Sequence, residues 1–182
     1  MALETFALSG FNATTMEDIA TAAGVTKPLL YQHFASKRAL YLELIDDVAE
    51  RLVGALAEAA GSETNGQRQV EAGFEAYFLF TVENQAAMRM LFDAPQDEEL
   101  ARGLRTIEVA IADFVAPLIE VDLEPGHRRA IAAAIVGMAE GVTREWLRHR
   151  VFDGADDKKE AIRLAGELAD FAWGGLRSLR PV

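Results

Sequence analysis

Few side chains in this chain of 182 residues are spaced to do chemistry. There is no cysteine, which excludes a thiolate nucleophile, a disulfide framework and any metal site built on Cys ligands. The three histidines, His33, His127 and His149, lie far apart with no HExxH. Patterns of the G-x-S-x-G, P-loop and G-x-G-x-x-G kinds do not occur either. Glu124-x-x-His127 has the spacing of a di-iron ligand pair. Pro125-Gly126 separate its members at a helix start, and no second copy exists. We therefore expect no catalytic residue, no metal and no cofactor, with His127 and His149 on the surface.

Residues 15–35, TMEDIATAAGVTKPLLYQHFA, carry a different chemistry. Two short helical stretches flank Ala23-Gly24-Val25, where glycine suits a reversal of the chain; this is the helix-turn-helix pattern. Ile19 and Ala20 face inward from the first stretch, and Leu30 and Phe34, spaced i, i+4, share the inner face of the second. Val25 plugs the gap, Phe6 and Phe11 stand behind, and Leu40 and Leu44 close the small core. That leaves Thr26, Lys27, Pro28, Leu29, Tyr31, Gln32 and His33 facing outward. A helix of this length, ~12 Å, suits the B-DNA major groove, ~12 Å wide. Gln32 can pair bidentately with adenine, and Pro28 and Leu29 can meet thymine methyls. Thr26, Lys27, Tyr31 and His33 can reach phosphates at the groove's edges. Thr15 and Lys37, each opening a flanking helix, offer side-chain and amide donors to phosphate. On spacing alone, an ordinary helical hairpin with one solvated face is the commoner reading.

The elements that must position these residues are all helical. Proline is scarce, Ala, Leu and Glu are abundant, and no alternating β-branched stretch persists. Nine helices are expected, the first over Ala2–Ser9, ending at Gly10. The second starts at Thr14 or Thr15, Thr14-x-x-Glu17 having capping-box form. The third follows Thr26 as N-cap and ends near Phe34. Ser36 caps a long fourth to about Ala60. The fifth covers about Gly66–Glu83, the sixth Gln85–Phe92, and a break falls at Asp93-Ala94-Pro95. The seventh runs over about Asp97–Pro117, the eighth from Pro125 to about Arg150. After a loop opened by Asp153-Gly154, the ninth covers about Asp157–Leu179.

The net charge of −11 opposes phosphate binding at first sight. Its distribution removes the objection. Residues 1–44 carry Lys27, Lys37 and Arg38 against Glu4, Glu17, Asp18 and Glu43, leaving 15 cations and 25 anions for the rest. No apolar run approaches the ~18 residues of a membrane span, and the opening residues lack the basic region of a secretory signal. No membrane association and a cytoplasmic location are expected.

From Ala2 to Leu44 the sequence resembles the N-terminal domain of the tetracycline-repressor-like (TetR) family. The resemblance rests on Phe6, Gly10-Phe11, Ala13-Thr14-Thr15, Asp18-Ile19-Ala20, Ala23-Gly24-Val25-Thr26-Lys27, Leu30-Tyr31, His33-Phe34, Ser36-Lys37 and Leu40, in that order. It implies an all-α chain with a helix-turn-helix DNA-binding domain over 1–44 and an effector-binding and dimerisation domain over 45–182. It also implies a homodimeric repressor, not an enzyme, that a small molecule releases from a palindromic operator by biasing the swing of the fourth helix. DNA contacts carry over to Thr26, Lys27, Pro28, Leu29, Tyr31, Gln32 and His33, with phosphate contacts at Thr15 and Lys37. Family members usually begin with a basic arm and a fuller first helix; this chain opens partway into that helix, so no contact before Thr15 is assigned. Pro28 stands where the family often has a small residue, at a position near the helix start that tolerates it. The competing reading is a helical ligand-binding protein without DNA affinity.

In the later part, Phe74, Tyr77, Phe78, Met88, Ile107, Ile111 and Phe114 have the spacing of any buried helical face. The cavity implied by the resemblance would use them, with Glu75, Tyr77 or Arg144 as polar points and an apolar or amphipathic effector. Gly137-x-x-x-Gly141 and Trp173-Gly174-Gly175-Leu176 place glycine inside helices at a cost of ~1 kcal/mol each, which suggests close backbone approach, within one chain or across a dimer. The resemblance favours the dimer, with Leu164, Leu168, Phe171, Trp173 and Leu176 in its seam.

Overall fold

The computed structural model describes residues 1–92, 98–119, 123–149 and 155–178. Among them all regular structure is helical: α1 (Ala2–Ala13), α2 (Met16–Ala23), α3 (Lys27–His33), α4 (Lys37–Gly61), α5 (Gly66–Glu83), α6 (Gln85–Phe92), α7 (Glu98–Val115), a 3-10 turn (Ala116–Leu118), α8 (Pro125–His149) and α9 (Ala155–Ser178). None of these helices is long and apolar enough to cross a membrane. The expected breaks at Asp93-Ala94-Pro95 and Asp153-Gly154 lie outside the described residues.

Two local readings change. α1 does not end at Gly10 but kinks there, at φ 75° and ψ 163°, and continues to Ala13. Glycine is still needed, because a side chain strains that region of backbone space. The capping box sits one residue later than Thr14-Glu17. Thr15 caps α2: its hydroxyl accepts from the Asp18 amide at 3.1 Å, and the Asp18 carboxylate accepts from the Thr15 amide at 2.8 Å. Thr14 is unavailable for that role, being buried with its hydroxyl donating to the Gly10 carbonyl at 2.8 Å.

The chain divides into two compact units. One comprises Met1–Glu50 with Asn84–Ile107, the other Arg51–Glu83 with Glu108–Val182. The first unit thus reaches past residue 44 into α4 and takes in α6, which packs against α1. Its core gathers Phe6, Met16, Ile19, Ala20, Leu40, Tyr41, Ile45 and Val48 with Met88, Met90 and Leu100. Tyr41 ties these together: its ring meets Phe6 and Phe11 edge-on, both at 5.0 Å, and its hydroxyl donates to the Met90 carbonyl at 2.9 Å.

In the second unit α5 is buried on most sides, through Phe74, Tyr77, Phe78, Phe80, Thr81 and Val82. Its second half, Phe74–Val82, is apolar on most sides and must be enclosed by other helices, and α8 and α9 pack on α5. The face of α9 that turns inward is made of Ala161, Ala165, Ala169, Ala172 and Leu176, spaced three or four apart along one side. Short side chains let the α9 backbone approach α5 closely.

Candidate nucleic-acid interface

The reversal between α2 and α3 is set by Gly24, which takes the left-handed conformation at φ 68° and ψ 27°. Its amide bonds the Thr21 carbonyl at 3.2 Å and the Val25 amide bonds the Ala20 carbonyl at 3.0 Å, the doubly bonded helix ending that favours glycine. Thr26 then opens α3, with proline in its first turn. Pro28 lacks an amide hydrogen where a helix needs none. Leu30 and Phe34 turn half inward, and no residue of α3 is fully buried. Thr26, Lys27, Pro28, Leu29, Tyr31, Gln32 and His33 are all exposed, Leu29 by 39% and Tyr31 by 49%. An open leucine and tyrosine beside a glutamine is an unusual surface for a solvated hairpin. It fits the base edges and methyl groups of a groove floor.

The two flanking contacts look different in the structure than in the sequence. Thr15 has both its amide and its hydroxyl directed at the Asp18 carboxylate, at 2.8 and 2.7 Å. Those bonds, the hydroxyl's first, hold the Asp18 carboxyl below the usual carboxylate range. Lys37 reaches back across the unit instead of outward. Its ammonium donates to the carbonyls of Phe11 and Thr14, both at 2.6 Å, and lies 4.5 Å from the centre of the Phe11 ring. It thereby ties the end of α1 to the start of α4. In the free protein the Thr15 amide and hydroxyl and the Lys37 ammonium are thus all engaged within the chain. Ser36 caps α4 as expected, its hydroxyl accepting from the Ala39 amide at 3.1 Å. Glu124 likewise serves as a cap, accepting from the amides of Gly126 and His127 at 3.1 and 3.2 Å; its spacing from His127 reflects that role.

The second unit contains a half-open apolar cavity of about 70 Å³. Phe74, Tyr77, Ile111 and Phe114 line it. Phe78, Met88, Ile107 and Arg144 do not. Phe78 is wholly buried and packs edge-on against Trp146, ring centres 5.8 Å apart. Met88 and Ile107 belong to the first unit, and Arg144 is exposed on α8. Glu75 is also absent from the lining. The rest of the wall, overlooked in the sequence, comes from Leu56 and Ala60 of α4, Gln69, Val70 and Gly73 of α5, Val115, Leu118 and Ile119, and Ile135, Val136 and Ala139 of α8. Their i, i+4 spacing was visible, but it is the spacing of ordinary core.

Beside the cavity, the Tyr77 hydroxyl faces Glu140, Thr143, Arg144 and Glu108, and burial first, then Glu140, raises its pKa well above the ordinary tyrosine range. Burial and the neighbouring Glu108 push Glu140 up to about 7, against the pull of Arg144. On the opposite side of α8, Gly137 and Gly141 are exposed with open space beside them. Phe171 of α9 is 74% exposed, Leu164, Leu168 and Trp173 are half-buried, and Leu176 is turned into its own protomer.

An all-α chain whose helix-turn-helix presents an open second helix defines a class, the helix-turn-helix DNA-binding regulators. Residues 1–44 match the family of bacterial regulatory proteins, tetR family. The HTH-type transcriptional activator FasR of Mycolicibacterium smegmatis is 34% identical over 179 residues, covering 96% of this chain and 79% of that protein. The HTH-type transcriptional regulator TcmR of Streptomyces glaucescens is 31% identical over 192 residues, covering 99% and 80%. Among solved structures, FadR from Bacillus subtilis in complex with stearoyl-CoA has the same fold, with a TM-score of 0.81 at 14% identity over 96% of this chain and 95% of that one. The chain belongs to the tetR family of bacterial regulatory proteins, and is a DNA-binding transcriptional regulator.

Proposed function

We propose that the protein is a homodimeric repressor that reads a palindromic operator with paired α3 helices and is released by an apolar or amphipathic effector. The observation that carries the DNA reading is the outward face of α3, on which Pro28, Leu29, Tyr31 and Gln32 are all exposed. Gln32 pairs with a base, Pro28 and Leu29 meet methyl groups, and Thr26, Lys27, Tyr31 and His33 hold phosphate. Thr15 and Lys37 set the angle of the flanking helices, the Thr15 amide being taken by Asp18, and the main-chain amides of the first turn of α4 face the backbone of the duplex.

The effector site of this reading is the cavity of about 70 Å³ with its almost wholly apolar wall. Occupied sites of drug-sized ligands run to roughly 300–1,000 Å³, so a ligand of that size widens the cavity as it enters. Widening moves the last turns of α4, which supply Leu56 and Ala60, and shifts the population of α4 conformers. A long acyl chain, as in the stearoyl-CoA of the FadR complex, has the required chemistry. Dimerisation uses the exposed side of α8 and α9 around Gly137, Gly141 and Phe171, with Leu164, Leu168 and Trp173 completing it.

The test is binding to the duplex upstream of the protein's own coding region across a salt series, with and without stearoyl-CoA. A steep salt slope, weakened binding by Gln32→Ala and release by the ligand are expected. Failure of the dimer to bind any upstream duplex overturns the reading. FasR is named an activator, which favours a second reading in which the bound protein raises transcription. Transcript yield from the same duplex separates the two, since a repressor lowers it.

A further inference from the structure

Tyr77 has two surroundings. Its ring lines the apolar cavity, while its hydroxyl faces a polar group made of the buried Thr143 and half-buried Glu140 of α8, with the exposed Arg144 of α8 and Glu108 of α7 at its outer edge. Thr143 is wholly buried, and its hydroxyl oxygen approaches the phenol without reaching hydrogen-bond geometry with any partner. A buried hydroxyl left in that state is uncommon and costly, and one beside a cavity calls for an occupant that completes it. We propose that Tyr77, Thr143 and Glu140 form a hydrogen-bonding subsite on the flank of the cavity, which takes one uncharged oxygen, a hydroxyl or carbonyl, of an otherwise apolar ligand.

The charge around the subsite selects against an anionic head. Glu108 and Glu140 face the phenol together, with Arg144 opposing them. Glu140 is half-buried and holds its proton to about pH 7, so near neutrality its carboxyl donates a hydrogen bond to a neutral oxygen. Thr143 and Tyr77 each bring a hydroxyl that can donate or accept. A site with buried groups of this kind discriminates strongly against an analogue lacking the partner atom.

The inference rests on the reading of the cavity as the effector site, and the experiment separates the two. Calorimetric titration of the full chain with 1-octanol and with 1-chlorooctane, which differ in the hydrogen-bonding group alone, is repeated for Thr143→Val, Tyr77→Phe and the cavity-filling Ala139→Phe. Expected is a preference of about tenfold for 1-octanol, the worth of one net hydrogen bond. Thr143→Val and Tyr77→Phe should each reduce it towards unity while 1-chlorooctane binds as before. Octanoate should bind more weakly than 1-octanol at pH 8. An unchanged preference in both variants, with circular dichroism showing them folded, overturns the subsite and leaves the cavity standing. Binding of both probes that Ala139→Phe leaves untouched, or no binding of either, overturns the cavity reading and the subsite with it.

Discussion

Lys37 was expected to meet phosphate, yet its ammonium holds the carbonyls of Phe11 and Thr14. A charged donor on the last carbonyls of a helix neutralises their partial negative charge and satisfies acceptors that have no intrahelical partner. Replacing it by methionine should lower stability by about 1–3 kcal/mol and weaken operator binding. The slope of log K against log salt should stay unchanged. A phosphate contact would instead flatten that slope by about 0.9, so a flatter slope with normal urea unfolding would refute the clamp. Glu140 gives a second residue-scale expectation. Its carboxyl is raised to about 7 from an ordinary 4.5, so between those values the folded protein binds the proton more tightly than the unfolded chain. Stability from this group is therefore full below about pH 4.5, is lost as pH rises to about 7, and is level above. Glu140→Gln should flatten that part of the stability–pH curve, measured by urea unfolding from pH 5 to 8.

At the scale of elements, the seam between α5 and α9 leaves no room for larger side chains. Ala161, Ala165, Ala169 and Ala172 fill it with almost no exposure. Ala165→Leu should cost about 1–3 kcal/mol by overpacking, read as a lower urea midpoint; a neutral result would mean that the two helices are free to separate. The alanines were hard to read in the sequence, because Leu164, Leu168 and Phe171 carry a stronger apolar signal on neighbouring positions of the same helix. Helix order and most boundaries were legible, since Gly24, Ser36, Pro28 and Pro125 act on the backbone locally. The register of the capping box was not. Thr14-Glu17 and Thr15-Asp18 have the same form, and burial of Thr14 in the first unit decides between them. The outward face of α3 was legible for a related reason: Leu30 and Phe34 alone share its inner side. The cavity wall was not, for Leu56, Val70 and Ile135 are the side chains any helical core would use. Met88 and Ile107 have that spacing too, and their place in the first unit follows from packing between helices distant in sequence.

For the whole molecule, the proposed dimer places the exposed glycines of α8 and Phe171 of α9 between two chains. Gly141→Leu combined with Phe171→Asp should convert a dimer to a monomer in sedimentation equilibrium. With it, the dependence of thermal midpoint on protein concentration should vanish. Each monomer would then engage half a palindrome, with operator affinity reduced by at least a hundredfold through loss of the linked second site. A native chain that sediments as a monomer at micromolar concentration would contradict the arrangement.

The small hollow in the second unit has a further consequence, which concerns volume. Unfolding under hydrostatic compression is driven by the elimination of internal voids. The apolar, half-open hollow of about 70 Å³ adds excess volume of this kind wherever its wall keeps water out, whereas a guest that fits it without stretching the walls removes that volume from the folded state. The empty protein should therefore unfold at a lower pressure than the filled one, by a margin larger than ligand affinity alone accounts for. High-pressure fluorescence of Trp146, whose ring abuts Phe78, would follow it, and equal volume changes with and without a guest would argue against it.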